Sequence, residues 1–372
     1  MSASARHRRA RSWSLGLTAA AVLVGLCAAT APAVKDKITL YRIPGESGKW
    51  FHYTDRRPPQ DTVYQEVGDY ERTSRPVNLL AGRRNIYVYY PTGDRRKGQQ
   101  ICEDAWYAVR LNERIAGFAF SWPGDIKIYR VPQFEIGVAA EYRGPDGIMA
   151  SGSDPYLMYH EIAHYWANTD LYSARWLGEA FAELHAYIVG RRVRGSGSSE
   201  TFRDWKFKAV AEYPDPDFPL ETWDFGQQST FQRERFAYGK AFAASSLLMD
   251  QFGLHRLQEV NRRIRRQKKP ANTREYIGLL ESIVGVGKVD QMLSGWVLPG
   301  PYWLDGERVS LEDYLQYLRK HPPRLPVRLD PARPDMVEPW RPLPATSRPT
   351  GYFVDRHGRP IPPPAPTSRR GR

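Results

Sequence analysis

Two histidines and a glutamate in the middle of the chain have the types and spacing of a hydrolytic metal site. His160 and His164 are four residues apart, so on a helix both imidazoles lie on one face and can bind the same ion. Glu161 lies beside them, where its carboxylate can take a proton from a water that the ion has activated. Two histidines with one carboxylate ligand favour Zn²⁺ as the cofactor.

The next predicted helix offers the carboxylate ligand that such a site still needs. It carries Trp-Leu-Gly-Glu at residues 176–179, and the short connection at residues 168–173 allows the two helices to pack antiparallel. That packing would bring Glu179 back toward the histidine pair. Glu183 lies one turn further on the same face, where it could accept a hydrogen bond from a ligand histidine or remain a surface carboxylate.

Together these motifs resemble those of the gluzincin metallopeptidases, the clan of thermolysin and aminopeptidase N. The shared features are His-Glu-x-x-His and, on the next helix, Trp-Leu-x-Glu-x-Phe-Ala. The resemblance implies that His160, His164 and Glu179 are zinc ligands and that Glu161 is the general base. The thermolysin group also has an acidic residue four positions after the ligand glutamate, and Glu183 matches it.

A second resemblance concerns a tyrosine further along the chain. Tyr-Gly-Lys-Ala at residues 238–241 is similar to the Tyr-x-Lys-Gly of aminopeptidase N relatives, which implies that Tyr238 stabilises the oxyanion of the reaction. The residues alone leave another interpretation open, in which Tyr238 is a core aromatic side chain on an amphipathic helix with Phe236 and Phe242.

One motif of the aminopeptidases is missing. In those enzymes a Gly-Ala-Met-Glu-Asn strand binds the α-amine of the substrate, whereas residues 147–152 here are Gly-Ile-Met-Ala-Ser-Gly. The spacing between His164 and Glu179 is also shorter than in the aminopeptidases. The missing motif favours an endopeptidase over an exopeptidase, and we expect the strand at residues 147–152 to pair with an extended peptide substrate.

The N-terminal residues 1–33 have the layout of a targeting segment. A basic region at residues 6–11 precedes an apolar stretch at residues 15–27, and small residues suited to cleavage follow at residues 29–33. The pattern predicts a secretory signal peptide, with an uncleaved membrane anchor as the alternative. Either one places the rest of the chain outside the cytoplasm, as a secreted, periplasmic or cell-envelope protein with possible membrane or envelope association through its N-terminus.

The composition is that of a globular protein without a nucleic-acid partner. Of the 372 residues 41% are hydrophobic and 26% charged, which is enough apolar sequence for a core. The formal net charge is +13, but the densest basic run, residues 262–269, is interpreted as a solvated helix end, and no nucleic-acid motif accompanies it. If the signal is cleaved, Cys102 remains the only cysteine, so we expect no intrachain disulfide and a buried thiol.

The order of predicted elements indicates an α+β fold with four parts. After the targeting segment we expect a small β module at residues 34–75 that resembles a short module of bacterial envelope proteins. A gluzincin-like domain follows at residues 76–320, and a Pro- and Arg-rich, disordered or extended tail at residues 321–372. The domain is predicted to be zincin-like, with a small sheet next to the His-Glu-x-x-His helix and a mostly helical C-terminal lobe.

Within that domain the periodicity predicts a few strands and many helices. The predicted strands are residues 86–90, 126–131 and 147–152. The predicted helices are residues 99–115, 154–166, 174–193, 201–211, 229–252, 254–266, 273–284 and 288–296.

These observations predict a zinc-dependent peptidase, with an endopeptidase acting on peptides or proteins outside the cytoplasm as the leading hypothesis. The alternative is a catalytically inactive envelope binding protein that keeps the metal site on a gluzincin-like scaffold. An aminopeptidase is disfavoured by the missing amine-binding motif. The sequence leaves the substrate preference and the oligomeric state open.

Overall fold

The computed structural model describes the central part of the chain, including every residue of the predicted metal site. The described residues are 34–42, 50–52, 63–130, 140–142, 144, 147–150, 154–213, 217–224, 230–321, 353–354 and 360–361. Side chains are described between Tyr70 and His321. The predicted targeting segment at residues 1–33 lies outside the described residues, as does the predicted tail apart from two short strands.

The elements are mostly strands up to residue 150 and mostly helices after residue 154. The strands are β1 (Val34–Arg42), β2 (Trp50–His52), β3 (Val63–Leu79), β4 (Gly82–Pro91), β5 (Ile126–Arg130), β6 (Ala140–Tyr142), β7 (Ile148–Ala150), β8 (Tyr302–Leu304), β9 (Glu307–Val309), β10 (Phe353–Val354) and β11 (Pro360–Ile361). The helices are α1 (Arg95–Ala116), α2 (Pro155–Ala163), α3 (Arg175–Val193), α4 (Ser196–Ala211), α5 (Phe231–Phe252), α6 (Leu254–Gln267), α7 (Thr273–Val284), α8 (Lys288–Leu293) and α9 (Leu311–Lys320), with a 3₁₀ turn at Leu220–Thr222.

The first seven strands form one mixed sheet in the order β2-β1-β3-β4-β5-β7-β6. β4, β5 and β7 run parallel to one another, and every other neighbouring pair in this sheet is antiparallel. β3 runs without a break past residue 75, where the sequence placed the end of the β module. The division of the chain into four parts stays a prediction.

The sheet buries one face under α1 because buried apolar side chains recur at every second position along its strands. In β4, Ile86 and Val88 are fully buried, and Ile126 and Ile128 hold the matching positions in the parallel neighbour β5. Such apolar alternation at period two is what a strand needs to pack one face against a helix. α1 ends at Gly117, whose left-handed φ of 78° closes the helix with a bond from its amide to the Glu113 carbonyl.

The helical half is organised around α3. Nearly every residue of α3 from Trp176 to Gly190 is buried, on all sides of the helix, which is the pattern of a central rather than a surface helix. α2 begins where the Asp154 side chain accepts a hydrogen bond from the amide of Tyr156, with Pro155 in the first turn. α2 packs on α3, and α5 packs on α3 from another side.

The fold is therefore α+β with a mixed sheet and a largely helical second half, as the sequence predicts at this level. The predicted helices are present with shifted ends: α2 ends at Ala163 rather than residue 166, and α4 begins at Ser196 rather than residue 201. The sequence analysis missed α9 and the small β8–β9 sheet. Among the described residues, no helix combines the length and apolar character that a membrane crossing requires.

Candidate metal centre

Three side chains from two consecutive helices converge on one point. His160 and His164 lie in and just after the last turn of α2, and their Nε2 atoms are 3.0 Å apart. Oε2 of Glu179, in the second turn of α3, lies 3.2 Å from Nε2 of His160 and 3.5 Å from Nε2 of His164. Among the described residues this is the one group of His, Cys, Asp or Glu side chains close enough to share a metal ion.

The hydrogen bonds around the histidines direct their lone pairs toward this point. Nδ1 of His164 lies 2.8 Å from the carbonyl oxygen of Ala167, so that nitrogen carries the proton and Nε2 is left with a lone pair. Nδ1 of His160 faces Oε1 of Glu183 at 3.4 Å, which favours the same tautomer.

This donor set fits Zn²⁺. With both histidines neutral, two imidazole lone pairs and one carboxylate oxygen face each other, and Oε2 of Glu179 has no hydrogen-bond partner of good geometry among the described residues. Four-coordinate zinc with bonds of about 2.0–2.1 Å sets neighbouring ligand atoms roughly 3.3 Å apart. The observed separations of 3.0, 3.2 and 3.5 Å bracket that value. A cation at this point would therefore compensate an otherwise repulsive arrangement.

The charges of the ligands are strongly coupled. Burial lowers the pKa of His160, but Glu183 and Glu179 outweigh it and raise the pKa to about 10. Burial also opposes the charge on Glu179, yet the two histidines hold the pKa of this carboxyl well below its usual range. The site therefore attracts positive charge. A metal ion that binds there must displace protons from the histidines, so its affinity falls at low pH.

Glu161 is buried next to the ligands and is oriented by the sheet. Its Oε2 atom accepts a hydrogen bond of 2.7 Å from the backbone amide of Tyr142 in β6. Burial raises the pKa of Glu161, and the nearby His160 and His164 oppose this shift. A carboxylate with a raised pKa is a better proton acceptor at neutral pH than an exposed one, as a general base requires.

Glu183 is buried, as the hydrogen-bonding interpretation of the sequence requires, and is not a surface carboxylate. Besides facing His160, its Oε1 atom accepts a bond of 2.5 Å from Nζ of Lys206 in α4. Burial opposes the charge of Glu183, but Lys206 and His160 lower its pKa. The sequence analysis missed Lys206, because a lone lysine in a predicted amphipathic helix gives no sign that it is buried.

Tyr238 lies at the same site, as the resemblance implies. Its ring is 5.9 Å from the His160 ring, between centroids, and packs edge-on at 5.1 Å against Trp223. Burial and the charge of Glu179 raise its pKa well above 10, so the phenol keeps its proton and can donate it. The side chain is partly exposed and packs against the buried core.

Arg175 supports Tyr238 from the start of α3. Its guanidinium hydrogen-bonds the Tyr238 side chain, stacks on Trp223 at 4.1 Å and forms a two-point ion pair with Glu234, at 2.7 and 3.3 Å. Glu234 also accepts a bond from the indole of Trp223. Arg175 directly precedes the Trp-Leu-Gly-Glu motif but belongs to no recognised motif, so the sequence did not predict its role.

The strand beside the site differs from the prediction. The sequence analysis expected residues 147–152 to offer an edge to a peptide substrate. That expectation is wrong, because β7 (Ile148–Ala150) lies inside the sheet, between β5 and the antiparallel β6. The outer strand is β6, whose three residues carry too little periodicity to be recognised. Tyr142 of β6 also stacks its ring on His164 at 5.9 Å.

Four further side chains that could carry chemistry are buried in the core. Tyr165 and Trp166 are buried and pack on Phe120, with ring centroids 5.4 and 5.2 Å from it, below the site. His185 is buried and bonded to Asn112 at 3.1 Å. Cys102 is a buried free thiol, as predicted.

No protein-family model and no curated protein matches the sequence. Solved structures with a similar fold include an aminopeptidase, an M1 zinc metallopeptidase and an LTA4 hydrolase. Aminopeptidase A of Legionella pneumophila, in complex with aspartic acid, has a TM-score of 0.50 at 14% identity, over 72% of this chain and 34% of that one. The M1 zinc metallopeptidase of Deinococcus radiodurans gives 0.47 at 16%, over 76% and 64%. Yeast LTA4 hydrolase with bestatin gives 0.46 at 15%, over 68% and 45%.

At sequence identities of 14% to 16%, the similarity to these structures is distant and concerns the fold alone. The chain also spans only 34% to 64% of the length of the solved structures named above.

Proposed function

We propose that this protein is a zinc-dependent peptidase, an endopeptidase acting outside the cytoplasm, with Glu161 as the general base. One observation carries the proposal: two histidine lone pairs and the carboxylate of Glu179 converge within 3.5 Å, and a separate buried carboxylate stands beside them. A purely structural metal site has no use for that second carboxylate.

Each side chain has a distinct task in peptide hydrolysis. His160, His164 and Glu179 would hold Zn²⁺, which when bound supplies Lewis-acid polarisation and lowers the pKa of water. Glu161 accepts the proton of the attacking water on its carboxylate and passes it to the nitrogen of the leaving amine. Tyr238 donates its phenolic proton in a hydrogen bond to the oxyanion that develops on the scissile carbonyl.

The substrate would lie along the outer edge of β6. This strand is the last in the sheet order, and Tyr142 contacts both Glu161 and His164. An extended peptide added to a sheet edge is held by its backbone, without a requirement for a free amine. One of the similar structures, from Legionella pneumophila, is named as an aminopeptidase in complex with aspartic acid, but the Gly-Ala-Met-Glu-Asn motif is missing from this chain, which favours cleavage within a peptide.

The location rests on the sequence of residues 1–33. Their basic, apolar and small-residue order is that of a secretory signal, and a signal of this kind would bring the site to the cell envelope or the medium. Protein or peptide substrates outside the cytoplasm are the corresponding partners. The alternative, an inactive envelope binding protein, has no need of a buried carboxylate aimed at the metal ligands.

The first test is the metal content of the purified full-length protein, compared with a His160→Ala/His164→Ala variant. We expect about one zinc per chain, lost in the double variant. No metal in the wild-type protein, even after zinc is offered at neutral pH, would remove the basis of the proposal.

The second test separates the base from the ligands. Glu161→Gln keeps an oxygen that can accept the Tyr142 amide bond but cannot take a proton, so we expect hydrolysis of an unfolded protein to fall about 10²–10⁴-fold while zinc remains bound. Glu212→Gln, at the exposed end of α4, is the matched control and should keep full activity. Unchanged turnover in Glu161→Gln would exclude Glu161 as the base. Peptides with blocked and free N-termini distinguish endopeptidase from aminopeptidase activity.

A further inference from the structure

We propose that Lys206 is a positioning residue for the metal site, acting on the ligand His160 through Glu183. The inference rests on the proposed function, because it concerns the affinity of the same site for zinc. It assigns a role to a buried cation that belongs to α4, a helix that supplies none of the ligands.

The contacts form a continuous line from α4 to the ligand. Nζ of Lys206 lies 2.5 Å from Oε1 of Glu183, and the same oxygen lies 3.4 Å from Nδ1 of His160. All three side chains are buried, with exposures of 7%, 5% and 8%. Glu183 thus accepts from a lysine on one side and faces an imidazole on the other, so the lysine fixes where the carboxylate presents its charge.

The surroundings of Lys206 direct its charge toward Glu183. Its ammonium group lies 5.1 Å from the ring centre of Phe202, 4.9 Å from that of Trp205 and 5.5 Å from that of Tyr238. Rings of this kind attract a cation through their faces but carry no net charge. Within the described part of the chain, Glu183 is the carboxylate that pairs with Lys206. In an environment of low polarity the two charges attract each other strongly. Removing one partner leaves the other as an uncompensated buried charge.

The backbone of Lys206 is held at this place by α5. A Cβ atom on Gly239 would lie 2.6 Å from the carbonyl oxygen of Lys206 and 2.8 Å from Cγ2 of Val210, so glycine permits the close approach of the two helices. Gly239 directly follows Tyr238. The contact therefore fixes Lys206 relative to two parts of the site, His160 through Glu183 and the ring of Tyr238.

The expected consequence is a change in metal affinity rather than in the fold alone. Partners behind a metal ligand typically contribute 10–100-fold to affinity. Lys206→Met keeps much of the side-chain volume and removes the charge, and we expect it to weaken zinc binding about 10-fold or more. Glu183→Gln should weaken binding to a similar extent. Because Lys206 acts through Glu183, the double variant should bind zinc no more weakly than Glu183→Gln alone.

The experiment measures the zinc dissociation constant of the full-length chain by competition with a chromophoric chelator. Lys208→Met, an exposed lysine two residues further along the same helix, is the matched control and should bind like the wild type. Thermal melting of the metal-free forms, followed by circular dichroism, reports folding separately.

A folded Lys206→Met protein with wild-type zinc affinity would overturn the proposal, even if it melts at a lower temperature, because that is the result of a purely structural lysine. Additive losses in the double variant would also overturn it. If Lys206→Met does not fold, Glu183→Gln decides the matter alone, since unchanged zinc affinity there excludes any action through Glu183. A wild-type protein that binds no zinc contradicts the proposed function instead, so the two failures are distinguishable.

Discussion

Tyr238→Phe tests whether the partly exposed tyrosine at the site takes part in the reaction. The substitution removes one hydroxyl and leaves the ring, so the packing against His160 and Trp223, at 5.9 and 5.1 Å between centroids, is preserved. The lost interactions are a possible hydrogen bond to the oxyanion and the bond with Arg175. Arg175 retains its ion pair with Glu234 and its stacking on Trp223.

The loss of the oxyanion hydrogen bond affects kcat, whereas the loss of the Arg175 hydrogen bond affects the free energy of unfolding. Removing one donor to an oxyanion costs about 10²–10³-fold in kcat, or roughly 2.7–4 kcal/mol. Losing a hydrogen bond to the charged guanidinium of Arg175 lowers the free energy of unfolding by about 1.5–3 kcal/mol. We therefore expect kcat to fall at least 100-fold with little change in KM or zinc content, and stability to fall by no more than this amount.

The assay is steady-state cleavage of an internally quenched peptide, with zinc content measured on the same sample. Tyr276→Phe is the control, because Tyr276 is a buried tyrosine whose hydroxyl has no hydrogen-bond partner among the described residues. It should keep wild-type kcat. If kcat of Tyr238→Phe stays within about threefold of the wild type, Tyr238 is a packing residue and the oxyanion role is refuted.

Two further predictions concern stability. Burial lowers the pKa of His185 to about 3, so below pH 6.5 the unfolded chain binds a proton that the folded chain does not, and stability falls by about 1.4 kcal/mol per pH unit toward pH 3. His185→Gln can keep a bond to Asn112 but cannot titrate, so urea unfolding at pH 7 and pH 5 should show a smaller loss in the variant; an equal loss would contradict the assignment. Gly239→Ala forces a Cβ against Lys206 and should cost about 1–3 kcal/mol in thermal unfolding, whereas Gly278→Ala, with nothing within 4 Å on exposed α7, should be neutral or stabilising. Equal effects of the two glycine substitutions would refute the close approach of α4 and α5.

The candidate ligands that local spacing brings together are the residues that the sequence indicates. His160 and His164 share a face because a helix repeats every 3.6 residues, and Glu179 follows after a short connection, so the contacts among them depend on little besides two helices. Glu183 is brought to His160 by the same geometry.

The parts that the sequence misses depend on partners in other elements rather than on local periodicity. β6 has three residues and exists as a strand because it pairs with β7, which no local periodicity reveals. Lys206 is buried because a carboxylate from another helix accepts its charge, and Arg175 is held by Trp223 and Glu234 from later elements. The targeting segment, the location, the absence of a nucleic-acid partner and the oligomeric state stay predictions or open questions.

The local origin of the metal site has a consequence for folding. All three ligands and Glu183 come from α2 and α3, which follow each other directly, so bringing them together closes only a short loop and costs little chain entropy. Tyr238 reaches the site from α5, much further along the chain, and contacts of such large sequence separation form slowly. A nascent helix pair can therefore bring the candidate ligands together before α5 supplies Tyr238. In the proposed peptidase, this order would leave the chain without hydrolytic activity until its last tertiary contacts form.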